Sequence, residues 1–311
     1  MRILTVGAGA IGGYFGARLM AAGRDVTFLV RPARAALLAR DGLNVRSPLG
    51  DLNLPAPPTV IAAELKQPFD LILLSCKSYD LDSCMADVAP AMGPRSHIVP
   101  LLNGLRHMDK LDERFGSERV LGGLARISST LDAQGVIHHF GQYQTLVLGS
   151  RTPQDALLEE LSRVLSVPGF ETGISRKILQ DLWEKWVFIA SAASLTCLMR
   201  ASVGDIVASG GSEIARGLIA ECSAIAAENG FAPSSATVDI AVSILTGPGS
   251  EFTASMFRDI ENKSRVEADH IVGDLLSRSR EPRALLKLAY AHLKAYEVRR
   301  VREAALSRSG H

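Results

Sequence analysis

The chain has 311 residues, which exceeds what one hydrophobic core usually serves, so we expect two domains. Its composition, 47% apolar and 22% charged, is that of an ordinary globular protein. The formal net charge of +1 gives no electrostatic basis for binding nucleic acid or an anionic membrane surface.

Location and redox state follow from two further features. No run of about 18 uncharged apolar residues occurs, and Met1-Arg2 leads directly into a strand, so we expect a cytoplasmic protein with no membrane segment. The cysteines lie in apolar stretches without a CxxC pair, at Cys76, Cys84, Cys197 and Cys222. We therefore predict buried reduced thiols and no metal site.

The first 150 residues alternate short apolar runs with helical stretches. Strands are predicted at Ile3–Gly7, Asp25–Val30, Asp70–Cys76 and His97–Leu102, and helices at Ile11–Ala22 and Leu157–Leu165. Near-continuous apolar strands between helices indicate a parallel sheet covered on both faces. Shorter strands at Leu124–Thr130, Val136–Phe140 and Thr145–Gly149 predict antiparallel hairpins at the sheet edge.

Beyond about residue 176 the pattern has only helical period. The predicted helices are Ile178–Met199, Gly211–Asn229, Ser235–Leu245, a stretch from Phe252 to Leu276, and Arg283–Ala305. We predict a Rossmann-type α/β domain over residues 1–176, followed by an all-α domain over residues 177–311 for substrate binding and dimerisation. A cleft between two such domains suits an enzyme that closes around a cofactor and a small substrate.

The strongest functional pattern is a glycine loop between the first strand and the first helix, Gly7-Ala8-Gly9-Ala10-Ile11-Gly12. Gly7 permits the tight turn, Gly9 lets the backbone approach a pyrophosphate, and Gly12 lets the helix pack close to the strand. Phosphates there meet backbone amides and the positive end of the helix dipole. The pattern predicts dinucleotide contacts from Gly7, Gly9, Ala10, Ile11 and Gly12.

The end of the second strand indicates which nicotinamide cofactor binds. An NAD enzyme carries Asp or Glu there to accept from the ribose 2′-hydroxyl, whereas this chain has Arg31, followed by Arg34. A guanidinium pairs bidentately with a 2′-phosphate. We predict NADP (NADPH), with Arg31 as the main contact and Arg34 as a second one. The alternative is that Arg31 is an ordinary surface arginine.

Two more candidates end strands at the same edge of the predicted sheet. Lys77 follows the strand Asp70–Cys76, and Asn103-Gly104 follows His97–Leu102. Ligands of open α/β folds bind at the carboxyl ends of strands, so both residues are candidate cofactor contacts. Position alone fits a solvated strand end and a plain turn equally well.

Together, the glycine loop, Arg31, Lys77 and the Leu102-Asn103-Gly104 turn resemble the 2-dehydropantoate 2-reductase (ketopantoate reductase) family. The resemblance continues through Leu182-Trp183-Glu184-Lys185, Gly204-Asp205, Ser255-Met256 with Asp259, Glu267 and Gly273. It covers nearly the whole chain. It implies a Rossmann domain, a helical domain, and NADPH-dependent reduction of the ketone of 2-dehydropantoate to pantoate.

The resemblance also implies roles for single residues. Lys185 would be the proton donor, and Asn103 would contact both nicotinamide and substrate. Ser255 would bind substrate, and Glu267 would contact the cofactor or orient Lys185. The chemistry agrees, because hydride delivery to a ketone leaves an alkoxide that needs a proton donor or a fixed positive charge, and an ammonium is charged at neutral pH. A surface pair of Lys185 with Asp181 is the simpler alternative.

Glu267 has a second interpretation of its own. With Ser264 it fits a capping box that starts a helix after a break at Asn262. On one continuous helix, Ser255 and Glu267 would lie roughly 18 Å apart at about 1.5 Å per residue. Only a turn near Asn262 brings both residues toward one pocket.

Other conspicuous side chains carry no predicted chemistry. His138-His139 lies on a predicted strand with no acid or serine partner in the local sequence. Trp183 and Trp186, one turn apart, are interpreted as core or interface anchors.

The chain departs from the family where substrate binds. One and two turns after Lys185 the family carries asparagines, and this chain has Ile189 and Ala193. These positions share the face of Lys185 at 3.6 residues per turn, so we predict an apolar substrate wall. Val203 replaces a further asparagine, and the segment Ser279–Arg283 is shortened.

The leading interpretation is reduction of 2-dehydropantoate. The alternatives are an NADP-dependent reductase of a more apolar 2-oxo acid, a 3-hydroxy acid dehydrogenase or opine-type reductase, and a non-enzymatic NADP-binding regulator. The expected partners are a small 2-oxo acid and a second copy of the chain in a homodimer, with no nucleic acid and no membrane.

Overall fold

The computed structural model describes the backbone of residues 1–309 and side chains through Leu306. The chain forms two compact units. The first contains Met1–Leu102 and His107–Leu179, and the second contains Asn103–Arg106 and the chain from Gln180 onward. The sequence did not indicate that Asn103–Arg106 belongs to the second unit, because nothing local distinguishes this segment from a plain strand–helix turn.

A five-stranded parallel sheet forms the centre of the first unit. Its strands in spatial order are β5 (Thr59–Val60), β2 (Asp25–Leu29), β1 (Arg2–Val6), β6 (Phe69–Leu74) and β7 (Met92–Pro100). Every neighbouring pair is parallel. The central strands are almost wholly buried, which explains their continuous apolar sequence. This order confirms the predicted Rossmann-type domain.

Five α-helices precede α6 (Ile178–Met199) in the chain. They are α1 (Gly12–Ala21), α2 (Pro32–Asp41), α3 (Leu81–Val88), α4 (Arg106–Phe115) and α5 (Asp155–Leu165). The apolar periodicity predicted α1 and α5 but not the other three. For α2 the reason is plain, since Leu38 is its one buried residue among the positions described.

The predicted edge hairpins belong to a second sheet. Its path is β10 (Glu171–Ile174), β9 (Ile137–Gly149), β3 (Leu43–Arg46) and β4 (Leu52–Leu54), and β8 (Gly122–Leu131) pairs with β9. A parallel bridge between Ile98 and Val120 connects the chain just before β8 to the edge strand β7. The hairpin therefore begins at the edge of the first sheet and continues into the second.

The predicted separation of Val136–Phe140 from Thr145–Gly149 is wrong, because both belong to β9, one strand with a bulge between them. Ile127 pairs with Gln144, and Ser128 pairs with Phe140, which leaves residues 141–143 without a position on β8. Gly141 has a φ of +80°, which a glycine adopts without strain.

The two strand histidines do have partners, contrary to the sequence-based interpretation. His138 Nε2 lies 2.7 Å from Asp132 Oδ2, and His139 Nδ1 lies 2.8 Å from Ser47 Oγ. The hydrogen bond from His138 lowers the pKa of Asp132, and burial lowers the pKa of His139. Because successive side chains of β9 point to opposite faces, the two pairs do not combine into a catalytic triad.

Every regular element among the described residues of the second unit is helical, as predicted. Its elements are α6 (Ile178–Met199), α7 (Val203–Ala208), α8 (Ser212–Glu228), α9 (Ser235–Leu245), α10 (Ser255–Glu261), a π-helical turn (Asp269–Gly273), α11 (Asp274–Ser277) and α12 (Ala284–Ser309). Trp183 and Trp186 are buried with ring centroids 5.0 Å apart, which confirms them as core residues.

The chain turns sharply between α10 and the π-helical turn. Asn262 caps the end of α10, and Lys263 has a left-handed φ of +54°, which confirms the predicted break. The predicted capping box does not form. The Ser264 amide donates instead to the Asp259 carbonyl at 2.8 Å, and helical bonding resumes only at the Glu267 carbonyl.

Membrane segments, metals and thiols can be judged for the described residues. Among them, no helix combines the length and apolarity needed to cross a membrane, and no group of three His, Cys, Asp or Glu side chains is arranged to hold a metal. Burial raises the pKa of Cys197 and of Cys222 to about 12. Cys76 and Cys84 are only half-buried, so the expectation of four buried thiols is wrong for this pair.

Candidate functional site

The glycine loop lies at the carboxyl ends of three adjacent strands. The Gly7 amide donates to the Leu29 carbonyl of β2 at 2.9 Å, and the Ser75 amide donates to the Val6 carbonyl of β1 at 3.2 Å. Gly7 has a φ of +89°, so the sharp turn after β1 favours glycine. These bonds hold the loop at the sheet edge where ligands of such folds bind.

Two glycines of the loop differ in the space around them. A Cβ on Gly12 would lie 2.5 Å from the Gly7 carbonyl oxygen and closer still to Ser75 Oγ. Around Gly9, no atom of the described residues would lie within 4 Å of a Cβ. Gly12 is therefore needed for close packing at the start of α1. Gly9 leaves an open backbone surface that fits a pyrophosphate.

Backbone carbonyls of the loop are held from two sides. Arg34 donates from Nε and Nη2 to the Ala8 carbonyl, at 3.2 and 3.0 Å, and from Nη2 to the Gly135 carbonyl at 3.2 Å. The Ser129 hydroxyl donates to the Ala10 carbonyl at 3.0 Å. Through these bonds Arg34 supports the backbone of the loop, and its contact with a 2′-phosphate stays a prediction.

Arg31 immediately precedes α2, and its side chain is 73% exposed. Its Nη2 lies 3.0 Å from Oδ2 of Asp80. Hydrogen bonding and charge from Asp80 raise the pKa of Arg31. This ion pair could not be predicted from the sequence, because the two residues follow different strands and no local pattern links them.

Lys77 follows β6 and is exposed at the same edge. Its carbonyl accepts from the Asp80 amide at 2.9 Å, which starts the short turn leading to α3. Since β2, β1 and β6 are neighbours in the sheet, the first unit brings Arg31, the glycine loop and Lys77 to one edge.

In the second unit, the Asn103-Gly104 turn lies against His270. A Cβ on Gly104, whose φ is +75°, would lie 3.0 Å from the His270 carbonyl oxygen and 3.4 Å from its Nε2. The imidazole also hydrogen-bonds the Asn103 backbone. Burial lowers the pKa of His270, and the carboxylates of Glu267 and Asp274 oppose that shift. His270 thus lies next to two predicted site residues, Asn103 and Glu267.

His270 was not among the residues predicted from the sequence. A usable signal existed, because it follows Glu267 by three residues and therefore shares its face on a helix. The residue also lies in the π-helical turn, a feature that is frequent at functional sites. The Trp186 indole donates to the Ile271 carbonyl at 2.9 Å, which anchors this turn to α6.

Lys185 and the two predicted wall residues follow one another along α6 at intervals of four. Lys185 and Ile189 are half-buried, whereas Ala193 is 1% exposed. Ala193 is therefore enclosed by neighbouring atoms of the protein, and Ile189 is the more accessible member of the wall.

Ser255 is the exposed first residue of α10. The preceding amide, of Ala254, donates to Thr196 Oγ1 of α6 at 3.4 Å, so α10 begins beside the C-terminal half of α6. Val203, which stands at a family asparagine position, is completely buried. Its amide donates to the Phe252 carbonyl at 3.0 Å.

The shortened segment Ser279–Arg283 is bonded to Glu228 at the end of α8. Arg283 forms an ion pair with Glu228, and the Arg280 amide donates to Glu228 Oε2 at 2.8 Å. The segment's polar groups thus serve contacts within the helical unit.

Two profiles of one known family match the chain. The profile described as "Ketopantoate reductase PanE/ApbA" matches residues 3–153, and "Ketopantoate reductase PanE/ApbA C terminal" matches residues 177–297. The chain belongs to the ketopantoate reductase family. This confirms the resemblance seen in the sequence, and the protein is an oxidoreductase of that family.

Relatives of this ketopantoate reductase family member cover most of its length. The "Uncharacterized oxidoreductase YkpB" of Bacillus subtilis (strain 168) is 37% identical over 305 residues, covering 96% of this chain and 99% of the relative. The 2-dehydropantoate 2-reductase of Pyrococcus abyssi (strain GE5 / Orsay) is 26% identical over 281 residues, covering 89% and 90%.

Solved structures agree on the fold. The 2-dehydropantoate 2-reductase from Geobacter metallireducens GS-15 aligns with a TM-score of 0.86 and 30% identity, covering 95% of this chain and 99% of its own. D-mandelate dehydrogenase aligns with a TM-score of 0.88 at 20% identity, covering 96% and 99%, which shows a shared fold. These proteins are named for different substrates.

Proposed function

We propose that this protein reduces a 2-oxo acid to the 2-hydroxy acid with NADPH, and that 2-dehydropantoate is its substrate. The observation that carries the proposal is the open glycine loop with Arg31 and Lys77 at one sheet edge, in a chain of the ketopantoate reductase family. A bound nicotinamide would supply the hydride.

The first unit would hold the dinucleotide. The backbone at Gly9 and the start of α1 would receive the pyrophosphate, since both offer amides and the positive end of the helix dipole. Arg31 would pair with the 2′-phosphate. Lys77 adds a positive charge at the same edge.

The second unit would handle the substrate. We assign proton donation to Nζ of Lys185, because the alkoxide left by reduction needs a proton at its oxygen. Asn103, whose backbone His270 holds, would orient the reacting carbonyl through its side-chain amide. Ser255 would hydrogen-bond the substrate, and Glu267 would orient Lys185 or contact the cofactor.

The cofactor assignment predicts that NADPH binds at least about tenfold more tightly than NADH, because one charge-assisted contact is worth roughly 1.5–3 kcal/mol. Arg31→Ala should abolish most of that difference by weakening NADPH and leaving NADH nearly unchanged. Calorimetric titration of both proteins with both cofactors measures it. Equal affinities in the unmodified protein would contradict the assignment.

A specific observation favours a second substrate class, the plain aliphatic 2-oxo acids. Ile189 presents an apolar side chain where the family has an amide, and a hydroxyl buried without a partner costs about 1–3 kcal/mol. We therefore expect Ile189→Asn to lower KM for 2-dehydropantoate by about fivefold or more, and Ile189→Leu to leave it unchanged.

Steady-state oxidation of NADPH decides between the two classes. The panel compares 2-dehydropantoate with 2-oxoisovalerate, which lacks the hydroxyl, and with phenylglyoxylate. A strong preference of the unmodified enzyme for 2-dehydropantoate would contradict the apolar wall and support the family's substrate. Turnover of none of the three would contradict the proposed reduction of 2-oxo acids.

We also propose a homodimer. Exposed apolar side chains lie on α9 at Ile240 and Ile244, and on α12 at Leu288, Val298 and Val301. Such side chains on a helical unit support self-association. The name of a solved neighbour from Staphylococcus aureus describes a dimeric ketopantoate reductase.

A further inference from the structure

Asp80 forms an ion pair with Arg31, the residue proposed to bind the 2′-phosphate. Arg31 Nη2 and Asp80 Oδ2 are 3.0 Å apart, and the Asp80 side chain is 27% exposed. A carboxylate in contact with the phosphate-binding guanidinium is unfavourable for NADPH, because phosphate and carboxylate carry like charges.

Backbone bonds hold Asp80 in place. Its amide donates to the Lys77 carbonyl, and its carbonyl accepts from the Ser83 hydroxyl, both at 2.9 Å. Asp80 stands at the N-cap of α3, where an aspartate usually accepts from amides of the first turn. Within the described structure its side chain makes no such capping bond. The carboxylate faces Arg31 instead.

A second carboxylate, on α3, acts on Arg31 in the same direction. Besides the Asp80 carboxylate, the charge of Asp87 also raises the pKa of Arg31. The positive charge of Arg31 is therefore partly compensated before any cofactor binds. A 2′-phosphate, with up to two negative charges, would meet this carboxylate, whereas the neutral 2′-hydroxyl of NADH would not.

We propose that Asp80 is a specificity-determining residue, whose carboxylate competes with the 2′-phosphate for Arg31 and so limits the preference for NADPH over NADH. The inference rests on the proposed binding of a nicotinamide dinucleotide. Under this proposal, cofactor selection depends on Asp80, at the N-cap of α3, as well as on Arg31.

The isosteric variant Asp80→Asn tests the proposal by calorimetry. Four probes are titrated: NADPH, NADH, adenosine 2′,5′-bisphosphate and adenosine 5′-monophosphate. We expect both 2′-phosphorylated probes to bind about three- to tenfold more tightly to the variant, and the other two to change less than twofold. The gain should shrink between 0.05 M and 0.5 M salt, because Arg31 is exposed.

Two controls isolate the charge of Asp80. Asp82→Asn removes a neighbouring carboxylate that instead pairs with Lys110, at 2.6 Å between Nζ and Oδ1, and should change no affinity. Adding Asp80→Asn to Arg31→Ala should give a smaller gain than adding it to the unmodified protein, because the competition for the guanidinium is gone and only direct repulsion is relieved. Asp80→Ser serves as a second variant if the asparagine variant folds poorly.

The outcomes separate this inference from the proposed function. If the unmodified protein binds the dinucleotides and Asp80→Asn gains nothing for the 2′-phosphorylated probes, or weakens them, the competition is disproved. If the unmodified protein binds neither dinucleotide nor the bisphosphate, the proposed function fails and the inference fails with it.

Discussion

Replacing Lys185 with alanine should lower kcat about 10²–10⁴-fold while the dissociation constant of NADPH changes less than about threefold. The size of the effect follows from the loss of the proposed proton donor. The selectivity follows from position, because Lys185 belongs to the helical unit and the glycine loop and Arg31 belong to the other. Stopped-flow oxidation of NADPH and calorimetry measure the two quantities separately.

Two further variants distinguish proton donation from fixed charge. Lys185→Arg keeps the charge but holds its proton far more tightly, so it should remain at least tenfold impaired. Added methylamine should partly restore the alanine variant, whereas Lys177→Ala, at an exposed lysine just before α6, should behave as the unmodified enzyme. Normal turnover by Lys185→Ala would leave Lys185 as a plain helix residue.

The central strands of the parallel sheet could be predicted because each one has a recognisable apolar pattern in its own sequence. Strands β1, β2 and β6 are short, largely apolar runs, since helices cover both faces of a parallel sheet, and only the second half of β7 shares this pattern. Strands β3, β4, β5 and β10 are four residues or shorter, and each is stabilised by pairing with a distant segment. The spacing of apolar residues within so short a segment does not predict pairing with a distant one.

The same distinction applies to the candidate site. The glycine loop is one contiguous motif at a strand–helix junction, so its place at the sheet edge could be read from the sequence. The Arg31–Asp80 pair and the packing of His270 under Gly104 each join separate segments. Contacts of that kind are set by tertiary packing, and single-sequence patterns carry no information on them.

The glycine loop offers a second large effect, in which two alanine substitutions three residues apart should fail for different reasons. Gly12→Ala should lower the free energy of unfolding by roughly 1–3 kcal/mol, because its Cβ would lie 2.5 Å from the Gly7 carbonyl oxygen and the backbone cannot move away without distortion. Thermal unfolding should then begin several degrees lower.

Gly9→Ala should keep the stability of the unmodified protein, since no described atom would lie within 4 Å of the new Cβ and no left-handed φ opposes it. The added methyl would instead stand on the surface proposed for the pyrophosphate, so NADPH and NADH should both bind at least about tenfold more weakly, a loss of about 1.4 kcal/mol. Because the pyrophosphate is common to both cofactors, the loss must be equal for the two, unlike the selective loss expected in Arg31→Ala. Unchanged cofactor affinity in a stable Gly9→Ala protein would place the pyrophosphate elsewhere than on this loop.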